Sequence, residues 1–293
     1  MSAKQCCDTV SHSRARVLDD QHARSIRAVL AMDPVVSCMV AARVEHGGLN
    51  PWRLGGELWG FTDDPDRGRH GELDGLCFSG ANLVPLCGGR PAIQAFAERA
   101  VSRGRTCSSM VGPADHVLAL WSQLGESWGP AREERPNQPL LVLAEPPWVP
   151  EDPLVRPVRP DELDCYLPAA VAMFIEEVGV DPRFPDGGAG YRARVAELIA
   201  AGRAFARFEG GEVVFKAEIG AVSSTVGQIQ GVWVHPDRRG HGLAAAATAA
   251  VVMRLHRMGR IASLYVNAYN QPARAAYRRV GFTQVGCFAT VLF

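Results

Sequence analysis

Residues 228–258 read QIQGVWVHPDRRGHGLAAAATAAVVMRLHRM, which is a strand, a loop and a helix in direct succession. The strand is Gln228–Val234, the loop is HPDRRGHG, and the helix runs from Leu243 to about Met258. Gly240 and Gly242 stand where the chain turns into the helix. Glycine lets the backbone approach a ligand closely, and the amides of a helix N-terminus are unpaired and carry the positive end of its dipole. The segment therefore reads as a cradle for a diphosphate. Neither G-x-G-x-x-G nor G-x-x-x-x-G-K-[ST] is present, which argues against NAD and ATP. A G-x-G turn also serves any tight strand-to-helix connection, so a second motif has to decide the matter.

Working outward, the second half begins with a strand at Val155–Arg159 and a helix at Leu163–Val178. A Gly/Pro loop, Gly179–Gly190, and a helix at Tyr191–Ala201 follow. Strands at Ala204–Phe208 and Val213–Val222 lead into the quoted stretch, and a strand at Ile261–Val266, a helix at Gln271–Val280 and a β-rich tail come after it. Nine of the twenty prolines lie between Pro130 and Pro160, so Pro146–Pro153 reads as a semi-rigid linker. The first half repeats nearly the same order, as expected of a diverged duplication. The expected organisation is a disordered tail at 1–16, a first domain at 17–145, a linker at 146–153 and a second domain at 154–293.

Composition narrows the function. The 293 residues carry 31 Lys+Arg and 31 Asp+Glu, so no global field exists to hold a polyanion, and nucleic acid is not an expected partner. Only Lys4 and Lys216 among the basic residues are lysines. The N-terminal residues lack an export signal, and the most apolar run, Leu243–Met253, is too short for a membrane span. A cytoplasmic protein with reduced cysteines is the expectation, as a monomer or homodimer. The eight cysteines form no C-x-x-C pair and the eight histidines no ligand spacing, so no metal is expected.

The second motif is NAYNQPARAAYRRVGF, residues 267–282. Asn270 is placed to cap a helix, Ala273 and Tyr277 share a face at four-residue spacing, and Gly281-Phe282 ends it. With both motifs in hand, residues 155–293 resemble a GCN5-related N-acetyltransferase (GNAT). Arg239, Gly242 and Ala244 match that family's R/Q-x-x-G-x-G/A motif, and Asn270, Tyr277 and Gly281-Phe282 match its later N…Y…GF signature. The whole chain resembles members with a second, degenerate copy at the N-terminus, an α/β mixed-sheet tandem fold. The resemblance implies acetyl-CoA bound where two parallel strands splay, with Val232, Trp233 and Val234 beside the pantetheine. It implies that the amides of Arg239, Gly240, His241, Gly242, Leu243 and Ala244 hold the pyrophosphate, that Asn270 contacts the cofactor arm and that Tyr277 protonates the departing thiolate.

One position departs from the family pattern. Many relatives carry a glutamate on the strand before the loop, where this chain has Gln228 with Gln230 beside it, and glutamine does not titrate. Glu218 is the expected substitute base, because alternation in FKAEI places Lys216 and Glu218 together opposite Phe215, Ala217 and Ile219. The alternative for that pair is a solvated ion pair. Glu176 and Glu177, in MFIEEVG, together with Gln228, are expected to line the acceptor site. In the first half the equivalent loop, NLVPLCGGRP (82–91), contains prolines that remove needed amides, so no second cofactor site is expected. Transfer of acetyl to an amine is the expected function, and a CoA-binding regulator or scaffold without turnover is the alternative. Charge is divided along the chain: residues 238–293 hold eight arginines and no acid, while residues 151–237 hold 14 acids and eight bases.

Overall fold

The structure is a computed structural model that describes residues 14–64, 72–184 and 186–293. The chain forms two compact units. One comprises residues up to Met32, His46–Pro136 and Ala289–Phe293, and the other Asp33–Glu45 and Asn137–Phe288.

In the second unit the antiparallel strands β7 (Arg156–Pro157), β8 (Ala204–Glu209), β9 (Glu212–Val222) and β10 (Val226–Val234) lie side by side. Next to β10 runs β11 (Ile261–Tyr265) in parallel, then β6 (Glu133–Leu143) and β12 (Thr283–Leu292), which belong to this unit from Asn137 onward and up to Phe288 respectively. The helix Leu243–Arg257 connects β10 to β11, and the helix Gln271–Val280 follows β11. Both cover one face of the sheet, where Phe215, Ala217, Ile219, Ile229 and Leu264 meet Ala247, Val251, Leu255 and Val280. The helices Leu163–Val178 and Ala189–Ala200 cover the other face, packing Tyr166, Ala170, Met173 and Leu198 on Ala204, Ala206 and Trp233.

The first unit repeats this order. Strands β1 (Arg16–Val17), β2 (Gly56–Phe61), β3 (Gly75–Gly80) and β4 (Asn82–Cys87) run antiparallel, and β4 then pairs in parallel with β5 (Ser109–Pro113). The helix Arg90–Arg103 connects β4 to β5, and Ala114–Trp128 follows β5. Phe96, Val117, Leu120 and Leu124 form its core with Trp59, Cys77, Met110 and Val291.

Several expectations are corrected. Residues 1–13 of the expected tail lie outside the described residues, but Ala15 is buried and Arg16–Val17 pair with β2. The helix Pro34–Gly47, assigned above to the first domain, belongs to the second unit through residue 45. Cys38 packs there on Ala221 and Val226, its Sγ donates to the Val226 carbonyl at 3.4 Å, and burial pushes the thiol up to about 11. The tail beyond Phe288 belongs to the first unit, since Ala289 and Val291 fill its core.

Residues 146–153 are also more than a linker. Trp148 N–H donates to the Val280 carbonyl at 2.9 Å and Asp152 N–H to that of Ala246 at 3.0 Å, while Glu151 pairs with Arg257. The prolines leave this segment few amides of its own to satisfy, and it lies as a strap on the two helices beside the sheet.

Candidate active site

The two parallel strands of the second unit part early. Pairing runs through Val226↔Ile261, Gly227↔Ala262 and Gln228↔Ser263 and then stops, although β10 continues to Val234. On its other edge β10 carries a register shift between Gln230 and Trp233 against Glu218 and Lys216 of β9. Gly231 supplies this bulge with φ +56°, a conformation that other residues adopt only under strain. A Cβ there would stand 3.0 Å from Met173 Cε and 3.2 Å from Lys216 Nζ.

The strands open into a cleft of about 540 Å³, lined by Val232, Trp233 and Val234, by residues of the loop, and by one face of the helix Gln271–Val280. Gly240 (φ +80°) and Gly242 (φ +79°) make the turn, and a Cβ on either would meet nothing within 4 Å. Among the described residues, no hydrogen bond to the protein is donated by the amides of residues 240–244. The carbonyl of Gly242 accepts only at Ala245, which leaves this set of donors beside the cleft at the positive end of the 15-residue helix. Such a set fits a diphosphate. The equivalent turn of the first unit is closed, because a Cβ on Gly88 would stand 2.6 Å from that of Ala92, and Pro91 lacks an amide.

Asn270 caps the second helix by accepting from Ala273 N at 3.2 Å, Pro272 sits in its first turn, and Gly281 ends it with φ +112°. Such a cap contributes about 1 kcal/mol. The cap sets Ala273 and Tyr277 on the cleft wall. Tyr277 is buried, stacks edge-to-face with Phe282, and its hydroxyl has no hydrogen-bond partner among the described residues. Burial, with Glu177 adding to it, holds the phenol well above its usual range, so it keeps its proton at neutral pH.

Glu176 is the one carboxylate among the lining residues. Its Oε1 accepts from Trp233 Nε1 at 2.9 Å and its Oε2 pairs with Arg239 at 2.7 Å, while Arg239 Nε also donates to the Val234 carbonyl at 3.0 Å. Arg239 thus ties the loop to β10 and to the end of the helix Leu163–Val178. Arg238 pairs with Glu209 at 2.7 Å. Arg279 also lines the cleft, and among the described residues it has no ion-pair partner.

Glu218 occupies a different environment from the one expected. It does not line the cleft and is not solvated: Lys216, wholly buried, holds it at 2.6 Å, with Tyr166 at 3.3 Å and Gln230 at 3.4 Å. Desolvation pushes this carboxyl up, but the charge and hydrogen bond of Lys216 outweigh it and hold it below the usual range. Gln228 is buried at the last paired position of β10, and Glu177 is exposed outside the cleft lining. His241 lines a neighbouring cavity instead of this one. Glu209 and Arg279 carry no spacing signal in the sequence beyond the Arg278-Arg279 pair at a helix end.

Two family models match the sequence. Residues 56–166 match a domain of unknown function, DUF4081, and residues 214–291 match the FR47-like protein family. No curated protein sequence matches. Among solved structures, the chain is similar to a GNAT-family acetyltransferase from Colwellia psychrerythraea, at 12% identity and TM-score 0.55 over 95% of this chain and 99% of that one. It is similar to a GCN5-related N-acetyltransferase from Sphaerobacter thermophilus, at 20% identity and TM-score 0.56 over 94% of each. A tandem GNAT protein from the clavulanic acid biosynthesis pathway gives 15% identity and TM-score 0.50 over 94% and 97%. These likenesses establish the tandem GNAT fold. The FR47-like match falls on the half that carries the open cradle.

Proposed function

We propose that the cleft binds acetyl-CoA and that the protein transfers the acetyl group directly to an amine. The observation that carries this reading is the set of unpaired amides at 240–244, held open by two glycines at positive φ and continuous with the gap between β10 and β11. In the reaction the amine nitrogen bonds to the thioester carbon, the carbon–sulfur bond breaks, and sulfur leaves as a thiolate. The free edge of β10 at Val232–Val234 supplies amides for the oxygen that becomes negative. Tyr277, protonated and unpartnered, gives its proton to the thiolate, and the proton that the acylated nitrogen releases restores the phenol. Asn270 holds the helix that presents Tyr277.

The amine must also lose a proton. Gln228 and Gln230 do not titrate and Glu218 is sealed against Lys216, so we propose that Glu218 positions Gln230 and that the acceptor reacts as the free amine. Turnover then rises with pH through the acceptor's own pKa, and Glu218→Gln is expected to leave that limb in place. A limb lost in the variant would return Glu218 to the role of base.

Isothermal titration with CoA, followed by thiol release from acetyl-CoA over a panel of amines and peptides, tests the reading. Tyr277→Phe is expected to lower turnover by about 100-fold, within the range for a lost general acid, while CoA affinity stays within about twofold. The second reading, a CoA-binding regulator without turnover, is favoured by one observation: the sole lining carboxylate, Glu176, is already shared between Trp233 and Arg239. CoA binding with no thiol release on the whole panel would select it.

A further inference from the structure

The gap between the two parallel strands has a polar floor that the transfer described above does not use. Pairing of β10 with β11 ends at Gln228↔Ser263. Their chain neighbours Ile229, Ala262 and Leu264 pack on the helices Leu243–Arg257 and Gln271–Val280, so alternation turns Gln228 and Ser263 to the opposite face of the sheet. Gln230 shares that face, where its amide donates to Glu218 at 3.4 Å. The two helices fill the first face, so an acceptor nitrogen that reaches the gap comes from the face with Gln228 and Ser263.

Both residues are buried with nothing to bond. Ser263 is wholly buried and its Oγ lacks a hydrogen-bond partner, and Gln228 is 7% exposed with its side-chain amide likewise unpartnered among the described residues. Their neighbours on this face are satisfied: Gln230 by Glu218, and Gln138 of β6 by Asn267, to which it donates at 2.8 Å. In the first unit a polar pair across β4 and β5 is closed as well, with Asn82 donating to Ser109 at 2.7 Å. A buried amide or hydroxyl left unpaired costs about 1–3 kcal/mol, which a ligand group that bonds to it recovers. The Gln228 amide and the Ser263 hydroxyl can each donate and accept, and a peptide group offers one donor and one acceptor in return. No free carboxylate accompanies them. Lys216 holds Glu218, Arg239 holds Glu176, and Glu177 stands outside the cleft lining. An ammonium ion finds no counter-ion here, and a neutral amine needs none.

Resting on the reading of the cleft given above, we propose that Gln228 and Ser263 select the acceptor by holding an amide next to the reacting nitrogen, so that the substrate is the α-amine of a peptide or amino-acid amide and not the ε-amine of a lysine side chain. A peptide group sits directly beside an α-nitrogen and at the far end of the side chain from an ε-nitrogen. The want of a base acts in the same direction. An α-amine titrates at about 8 and an ε-amine at about 10.4, so near pH 7 the free-amine fraction of the first is larger by about 250-fold.

Thiol release from acetyl-CoA by the full chain near pH 7 tests this, with alaninamide, alanine methyl ester and Nα-acetyl-lysinamide as acceptors. For alaninamide kcat/KM is expected to exceed that for Nα-acetyl-lysinamide by at least about 100-fold. It is expected to exceed that for the ester, which keeps the α-amine but lacks the amide N–H, by about tenfold. Ser263→Ala is expected to raise KM for alaninamide about tenfold while kcat and CoA affinity stay within about twofold. Its melting temperature is expected to be equal or higher, because an unpaired buried hydroxyl is removed, which separates a lost contact from a damaged fold. Gln228→Glu puts a titratable group at the fork and is expected to narrow the ratio of alaninamide to Nα-acetyl-lysinamide to below about tenfold. Comparable kcat/KM for those two acceptors, turnover of other amines alone, an unchanged KM in Ser263→Ala or an unchanged ratio in Gln228→Glu overturns the proposal and leaves the transferase reading intact. Absence of thiol release with every amine overturns both.

Discussion

Gly242→Val is expected to weaken CoA binding by at least about 100-fold, roughly 2.7 kcal/mol, while the protein remains folded. Gly242 sits at φ +79°, where a β-branched residue is an outlier, and the strain of holding it there is of order 1–3 kcal/mol. The chain relieves that strain by turning the loop, which disperses the amides of 240–244. If it does not, the new side chain stands in the open space beside the cradle. Gly210→Val separates strain from site, since Gly210 also has positive φ and open surroundings but lies in the β8–β9 turn away from the cleft. Both variants should lose a few degrees in thermal melts, and only Gly242→Val should lose CoA in calorimetry. Similar CoA affinity in the two variants would remove the loop from the binding site.

The second large effect lies under the bulge. Lys216→Met leaves the Glu218 carboxylate buried without its cation, and removing one partner of a buried pair typically costs about 3–5 kcal/mol. The pH dependence carries a sign. In the native chain Glu218 is held below the usual carboxylate range, so its contribution is present above that range and is lost as pH falls through the folded-state value. Without Lys216, desolvation dominates and the carboxyl is raised instead, so the loss is small near pH 4 and grows as pH rises toward 7. Lys216→Met/Glu218→Leu should regain most of the stability, because an apolar pair of similar volume replaces a buried ion pair at little cost. Urea unfolding of the three proteins at pH 4 and 7 checks this. A deficit of equal size at both pH values in the single variant would show that the pair carries no charge burden.

What could be read from the sequence was local. The cradle and the helix Gln271–Val280 follow from glycines, a cap and a proline whose effects act within one turn, and the sequence ranges agree with the observed ones almost residue for residue. Alternation misled where it assumed a solvated face: β9 is an inner strand with helices on both sides, so Lys216 and Glu218 point into packing, and a period of two says nothing about which face is wet. The strap read as a spacer because proline content reports stiffness and not what the segment lies upon. Arg239 read as a phosphate-loop residue, yet its Glu176 partner is 63 positions away and left no trace in spacing.

The placement of residues 33–45 bears on how such a protein could be inherited. A gene doubled and fused end to end would give two cassettes that one cut separates. Here the chain changes units at 32/33, 45/46, 136/137 and 288/289. A chain beginning after the proline-rich segment would lack the helix that covers Ala221 and Val226 and would present that apolar patch to solvent. The unit with the open cradle is therefore completed by a helix that the chain enters long before the rest of that unit.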